Sequence, residues 1–541
     1  MVIIQEQQRS SSHRGIPSSV ERPPREISPV RVAVLVVVIA GMVLGAWKLV
    51  TDDTSTADAK SDASPVYAPY VDVTLTPTYP FQLPSANPVS SVYLSFIVGD
   101  PSAPCTPTWG TYYTLEEAGQ SLDLDARVAQ LRNQGGSAIV SFGGRDNSEL
   151  AVGCTNATDL VDAYLAPIER YGATTIDLDL EGEDLADTAA NARRAKAIAT
   201  IQRRMATGRT PLGVWVTLPV SNQGLTAEGV AAVQAMLAAD VKLAGVNAMA
   251  MDFGPGQGAA EDMIGTIERA LEATQAQMQS LWQGAGLPSS AASAWEHLGV
   301  TVMLGVNDVI EERFTTADAR ELADFVSRHG ISRVSAWSLN RDSECGGAFP
   351  EVGVLSNTCS GVIQRPLEFT RIFSRLRGTK TARRETASLS SQPPPATVST
   401  DNPARSPYPI WRPTAGYVTG FKVVWQGHIY QANWWNQGTP PGSVAAGSPT
   451  NPWQPVGPVP AGSHGPEPIH LVSGRFPSWF PASVYHKGER VSFKGLPYEA
   501  RWYTRGDRPL GELPDDPGSP WEPLFTYPGQ PTAKRIKGGT R

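Results

Sequence analysis

The chain has 541 residues, is 41% hydrophobic and 18% charged, and carries a formal net charge of -7. That length suggests two to four domains at roughly 100–200 residues each, with enough chain for an ordinary core. The mild acidity argues against a nucleic-acid binder, which needs a basic face, and neither HExxH nor metal-ligand spacing occurs among the seven His, so no metal or other cofactor is expected.

Residues 1–31 read as a polar cytoplasmic tail with five Arg against three Glu. Residues 32–50, VAVLVVVIAGMVLGAWKLV, are apolar enough to span a bilayer if Lys48 snorkels. The Arg excess before this run predicts a single-pass membrane anchor with everything after residue 50 outside the cell. The competing reading is a cleaved signal peptide and a secreted protein, for which Ala57-Asp58-Ala59 has the right small-residue form. Residues 51–65 read as a stalk.

From 66 to 376, short β-rich runs alternate with helical patterns. The predicted strands are 67–71, 92–98, 138–142, 175–180, 214–219, 245–251, 301–305 and 333–338. Helices are expected between them, as at 159–171, 185–207, 227–239, 259–282 and 316–329. This order predicts an α/β domain, a (β/α)8 TIM barrel, with a doubly wound open sheet as the competitor. No G-x-G-x-x-G follows a strand, which disfavours the dinucleotide-binding form of that sheet.

Residues 377–408 form a Pro/Ser/Thr linker. Eight of the fourteen Trp follow it, and the chain there repeats itself at an offset of 68 residues. Trp411 matches Trp479, Tyr417 matches Tyr485, Gly427 matches Gly495, Tyr430 matches Tyr498, Trp434 matches Trp502 and Trp453 matches Trp521. Two small all-β modules are predicted, at 409–457 and 477–525, followed by a basic tail at 526–541. Modules of this size bury little core, so Trp411, Trp453, Trp479 and Trp521 are assigned to it.

The sharpest segment is Thr174-Thr175-Ile176-Asp177-Leu178-Asp179-Leu180-Glu181-Gly182. On a strand, a period of two puts all three carboxylates on one face. In a barrel that face is the lumen, and Glu181 stands at the C-terminal mouth. Aligned acids repel, so the outermost is suited to hold a proton near neutral pH and act as a general acid. A solvated edge strand and a calcium site are the competing readings.

Asp177-x-Asp179-x-Glu181-Gly182 resembles the D-x-x-D-x-D-x-E signature of family 18 glycoside hydrolases, the chitinases. Ser141-Phe142-Gly143-Gly144 is similar to the family's S-x-G-G motif, and Met249-Ala250-Met251-Asp252 to its M-x-Y-D segment. Trp337 falls where the family places a Trp beneath the substrate. Thr174 replaces the first Asp of the signature, and Met251 replaces the Tyr. The resemblance implies a retaining, substrate-assisted hydrolysis of β-1,4-linked N-acetylglucosamine. Glu181 would be the acid/base, Asp179 would hold the acetamido group, and Asp177 would buffer Asp179. Asp252, Met251, Trp337 and Tyr70 would contact substrate. Ser141, Gly143 and Gly144 read first as structural.

The segments Tyr430-Gln431-Ala432-Asn433-Trp434-Trp435 and Tyr498-Glu499-Ala500-Arg501-Trp502-Tyr503 resemble family 5/12 carbohydrate-binding modules. Trp434, Trp435, Trp502 and Tyr503 are then the sugar-binding candidates. One of each adjacent pair is expected in the core, because neighbours on a strand face opposite ways. If the chain is exported, Cys345–Cys359 and Cys105–Cys154 are the expected disulfides, with four free thiols as the alternative. The expected partners are chitin or another N-acetylglucosamine polysaccharide and, through the anchor, a membrane. No nucleic acid is expected, and the protein is expected to act as a monomer. The functional alternatives are a non-catalytic chitin-binding surface protein and a related endo-β-N-acetylglucosaminidase.

Overall fold

A computed structural model describes residues 66–207, 211–346, 355–376, 401–445, 447–465, 469–470, 476–509, 519–526 and 530–531. The tail, anchor and stalk read at 1–65, most of the linker and most of the basic tail lie outside the described residues. Among the described residues no helix is long and apolar enough to cross a membrane.

Residues 66–376 build a ring of parallel strands with helices between them. The strands run in order along the chain: Ser91–Asp100, Ser137–Gly143, Thr175–Asp179, Gly213–Ser221, Leu243–Met249, Leu298–Met303 and Arg333–Trp337. Each is hydrogen-bonded to the next in parallel register. The first strand closes the ring in two short pieces. Val66–Tyr67 pairs with the last strand, and Tyr70–Asp72 pairs with Ser91–Asp100. The Ala68 N–H donates to Val334 and the Tyr93 N–H to Pro69, so the closure continues across the break between the pieces. Eight parallel strands therefore close on themselves.

Local chemistry sets the helix limits. Ala157–Tyr171 starts where the Asn156 side chain accepts the N–H groups of Thr158 and Asp159, and ends at Gly172 with φ 58°. Thr316–His329 starts at a capping box between Thr315 and Asp318 and ends at Gly330 with φ 75°. The helix predicted at 185–207 is two helices, Gly182–Ala186 and Thr188–Ala206. Asp187 separates them, because its side chain caps the second by accepting from the N–H groups of Ala189 and Ala190.

The C-terminal repeat is a structural repeat. Lys422–Trp425, His428–Ala432 and Trp453–Pro458 form one antiparallel sheet, and Arg490–Phe493, Leu496–Ala500 and Trp521–Pro523 form its counterpart. The backbone N–H of Arg412 donates to the Tyr417 hydroxyl, and that of Phe480 to the Tyr485 hydroxyl. Trp453 packs edge-on against Tyr417 at 5.2 Å, and Trp521 against Tyr485 at 5.1 Å. The indole N–H groups of Trp453 and Trp521 donate to the carbonyls of Thr439 and Asp507, both at 2.8 Å. Trp411, Trp453 and Trp521 are buried, whereas Trp479 is partly exposed at the rim of its core.

The first module is docked on the barrel. Tyr408, Val424, Ile429 and Val456 pack against Ala126 of the helix Leu124–Asn133. Beside this apolar patch, buried Asp123 accepts hydrogen bonds from the Tyr408 hydroxyl at 2.6 Å and from the Lys422 ammonium. A Cβ on Gly457 would lie 2.0 Å from the Ala126 carbonyl oxygen, so the two surfaces meet only because this residue has no side chain. With a protease site inserted within 377–400, the cleaved halves of the native sequence are expected to co-elute in gel filtration. Gly457→Val should make them separate. Co-elution of the cleaved variant would show that the docking does not depend on this close approach.

Candidate active site

Asp177 and Asp179 lie on the fourth barrel strand, Thr175–Asp179, facing the lumen, while Ile176 and Leu178 pack outward into the core. The strand pairing stops at Asp179, earlier than the expected Leu180. The Leu180 N–H still donates to the Thr217 carbonyl at 3.0 Å, which keeps the backbone extended for two further residues. Glu181 follows in an extended conformation, φ -135° and ψ 163°, so it continues the inward face of the strand. Gly182 then turns the chain with φ 52°.

The three acids have different surroundings. Asp177 is fully buried and accepts three hydroxyls: Thr217 at 2.6 Å, Ser141 at 2.7 Å and Tyr70 at 2.9 Å. Burial raises its pKa, and the three donors oppose that rise. Asp179 is also buried, but its Oδ1 has no hydrogen-bond partner. Burial, with the charges of Glu181 and Asp177 added, raises its pKa well above the ordinary carboxylate range. Glu181 is pushed up to about 7, chiefly by burial, with Arg145 opposing and Asp252 and Asp146 adding to the rise. The acids therefore titrate as a linked set, with a proton held by the outer members near neutral pH.

Asp252 stands on the loop after the sixth strand, Leu243–Met249, in the left-handed region with φ 51°. Its N–H donates to Asn307 Oδ1 at 3.3 Å, and its Oδ1 accepts the Val309 N–H at 3.0 Å. Burial raises its pKa and the Val309 N–H lowers it. Trp337 ends the eighth strand and is half-buried, its ring stacked on Phe96 at 5.4 Å and 19°.

The glycines at the end of the third strand have a packing reason. A Cβ on Gly143 would lie 2.1 Å from the Asp179 carbonyl oxygen, and one on Gly144 would lie 2.8 Å from the Phe96 ring. Both have positive φ, and the Gly144 N–H donates to that same Asp179 carbonyl at 2.9 Å. They let the third strand end directly against the acid-bearing one.

One expected substrate contact needs correction. Tyr70 is only 1% exposed and stacks on Tyr93 at 4.4 Å, with its hydroxyl directed to Asp177 and Thr217. It holds an acid from below and is not available to a sugar. Met251 is buried and precedes Asp252 directly in the chain. Thr217, Phe96 and Asn307 were not singled out from the sequence. Thr217 did leave a signal, as the lone hydroxyl within the apolar run Val214-Trp215-Val216-Thr217-Leu218.

In the modules, Trp434, Trp435, Trp502 and Tyr503 are 42%, 55%, 43% and 61% exposed. The expectation that one of each pair is core is overturned. The strands end at Ala432 and Ala500, so the aromatic pairs sit beyond them, where strand alternation no longer applies. The sulfurs of Cys105 and Cys154, and of Cys345 and Cys359, are bonded.

No family model matches the chain. It is 33% identical over 305 residues to a probable bifunctional chitinase/lysozyme of Escherichia coli (strain K12), covering 55% of this chain and 33% of that protein. It is 31% identical over 304 residues to Endochitinase 11 of Metarhizium anisopliae, covering 55% of this chain and 57% of that protein. The chain thus spans a third and just over half of the lengths of these relatives. The catalytic domain of a hyperthermophilic chitinase from Pyrococcus furiosus aligns at 26% identity and a TM-score of 0.49, covering 58% of this chain and 97% of that one.

Tyr70→Phe removes one of the three donors to a buried carboxylate. It is expected to lower stability by about 1–3 kcal/mol, as a lower midpoint in thermal unfolding. An unchanged midpoint would mean that Ser141 and Thr217 satisfy Asp177 without it.

Proposed function

We propose that this chain is a chitinase of the family 18 type, which cuts β-1,4-linked N-acetylglucosamine polymers with retention and with the substrate's own acetamido group as nucleophile. The observation that carries this reading is the division of labour along one strand. Asp177 is already engaged by three hydroxyl donors, Asp179 keeps an open oxygen, and Glu181 has its pKa near neutrality. The similarity over 305 residues to a protein named a probable chitinase/lysozyme supports it.

In this mechanism protonated Glu181 gives its proton to the glycosidic oxygen as the bond to the anomeric carbon breaks. The acetamido carbonyl oxygen closes on that carbon, and a protein nucleophile is not needed. The open oxygen of Asp179 accepts the acetamido N–H and offsets the positive charge of the resulting oxazolinium. The Glu181 carboxylate then takes a proton from the water that opens this ring, which restores both the acid and the anomeric configuration. Trp337 provides a flat apolar surface for a sugar ring. We place this chemistry outside the cytoplasm, at the membrane if residues 32–50 are retained as an anchor. The two disulfides support that placement.

Release of soluble oligosaccharides from colloidal chitin tests the assignment. Glu181→Gln should lose about 10²–10⁴-fold, the usual contribution of a positioned general acid. In the native sequence the first step needs protonated Glu181, so kcat/KM should fall as pH rises through about 7. Equal product from both proteins would sink the catalytic reading. No product from either, with chitin binding retained, would assign the chain to chitin binding alone.

We further propose that the exposed aromatic pairs grip the solid substrate by stacking on sugar faces. Trp434→Ala and Trp502→Ala should each weaken retention on insoluble chitin. The double variant should lose more than the sum of the single losses, because two linked sites act with avidity. Undiminished retention of the double variant would remove the modules from substrate targeting.

A further inference from the structure

In a ring of eight strands taken in order, the third and the seventh lie on opposite sides. Their C-terminal loops are nevertheless joined. Arg145, two residues past the third strand, is ion-paired with Asp308, on the loop that follows the seventh. A contact between these two loops has to cross the mouth of the barrel. On one side of the crossing lie Glu181 and Asp252, after the fourth and sixth strands. On the other lie Trp337 and Phe96, on the eighth and second strands.

The crossing is also tied to the acids. Asp308 sits between Asn307, which accepts the Asp252 N–H, and Val309, whose N–H donates to Asp252 Oδ1. The Arg145 charge is close enough to hold down the pKa of both Glu181 and Asp252. Glu181 is faced by Asp179 on its own strand, by Asp146 and Arg145 from the third-strand loop, and by Asp252 from the sixth. A sugar that rests on Trp337 while its glycosidic oxygen meets Glu181 must lie across the line that this ion pair occupies. The pair is built to open: the Arg145 side chain is 69% exposed, and an exposed pair is weak and screened by salt.

We propose that the Arg145–Asp308 ion pair is a strap across the mouth that a sugar polymer must open, so that these two residues set the preference between long and short substrates. The proposal rests on the hydrolase reading above. A short oligomer enters beneath the strap from either side, whereas an internal stretch of polymer reaches the acids only when the strap is open.

The test compares kcat/KM on glycol chitin with that on chitotriose, for the full chain and for Arg145→Ala and Asp308→Ala. Both variants should raise the ratio of polymer to trisaccharide activity by about two- to fivefold, the range available to an exposed ion pair. Added salt should raise the ratio for the native sequence and leave both variants unchanged. Arg145 holds the Glu181 pKa down, so the alkaline limb should move up in Arg145→Ala. A change in the ratio shared by both variants, although they remove opposite charges, therefore separates a strap from a simple charge effect. A ratio that stays constant in both variants, or moves in only one, overturns the strap. If the native chain cuts neither substrate, the hydrolase reading fails by itself. The strap is then read from hydrogen–deuterium exchange of 144–148 and 305–312, which should rise in both variants, and equal exchange in all three proteins overturns it.

Discussion

Confining three carboxylates to one face of one strand, inside a closed ring, is the constraint on which the rest of the barrel depends. An isolated buried carboxylate is too costly to keep charged, so each must be hydrogen-bonded, protonated or led toward solvent. Each acid has a different solution. Asp177 lies deepest and is satisfied by hydroxyls from the first, third and fifth strands. Glu181 reaches the mouth and stays partly exposed. Asp179, between them, has an oxygen with no partner. That open oxygen is the exception among the three acids to the rule that buried polar atoms are paired.

The neighbouring strands are shaped by the same need. Asn247 donates to Thr217 at 3.0 Å, and the Thr217 hydroxyl donates to Asp177, so the polar layer of the lumen is linked across the fourth, fifth and sixth strands. Glycine at 143 and 144 lets the third strand end against the Asp179 carbonyl, which holds the fourth strand in register where its own pairing stops. Below the mouth, the helix that follows Glu181 is anchored to the third-strand loop by Asp184, which accepts the Glu149 N–H at 2.7 Å. Glu149 in turn is held by fully buried Arg194. The acid is thus fixed from both sides of its own strand by groups that do not touch it.

Much of this could be read from local sequence, and each miss has a physical cause. The period of two in Asp177, Asp179 and Glu181 is a backbone property, so the shared face was legible without a structure. So were most of the strands and helices, although the cap at Asp187 that divides 185–207 in two went unread. The 68-residue offset showed two modules because equivalent residues have equivalent jobs in each. Tyr70 was misassigned because its role depends on Asp177, 107 residues away, and residue type does not distinguish a tyrosine under an acid from one under a sugar. The module aromatics were misjudged because strand alternation was carried past Ala432 and Ala500, where the strands end. Arg145 with Asp308, and Asp123 with Lys422, are pairs of ordinary surface residue types whose sequence separations of 163 and 299 leave no local trace.

The docking of the first module changes what the C-terminal half contributes. A domain of fewer than 50 residues without a disulfide has little core to hold it together. This one has an internal cluster around Tyr417 and Trp453, and a second around Val424, Ile429 and Val456 that is completed by the barrel's Ala126. Lys422 joins the two parts. Its ammonium reaches Asp123 of the barrel, while its backbone N–H and carbonyl are both taken by the Gln530 side chain at 2.7 Å, from the chain that follows the second module. Part of the first module's stability is therefore borrowed from the barrel, and the Gln530 side chain satisfies the edge N–H and carbonyl of Lys422. A module fixed in this way holds its exposed aromatic pair, Trp434 and Trp435, at a set position relative to the barrel, which a flexible linker alone would not do.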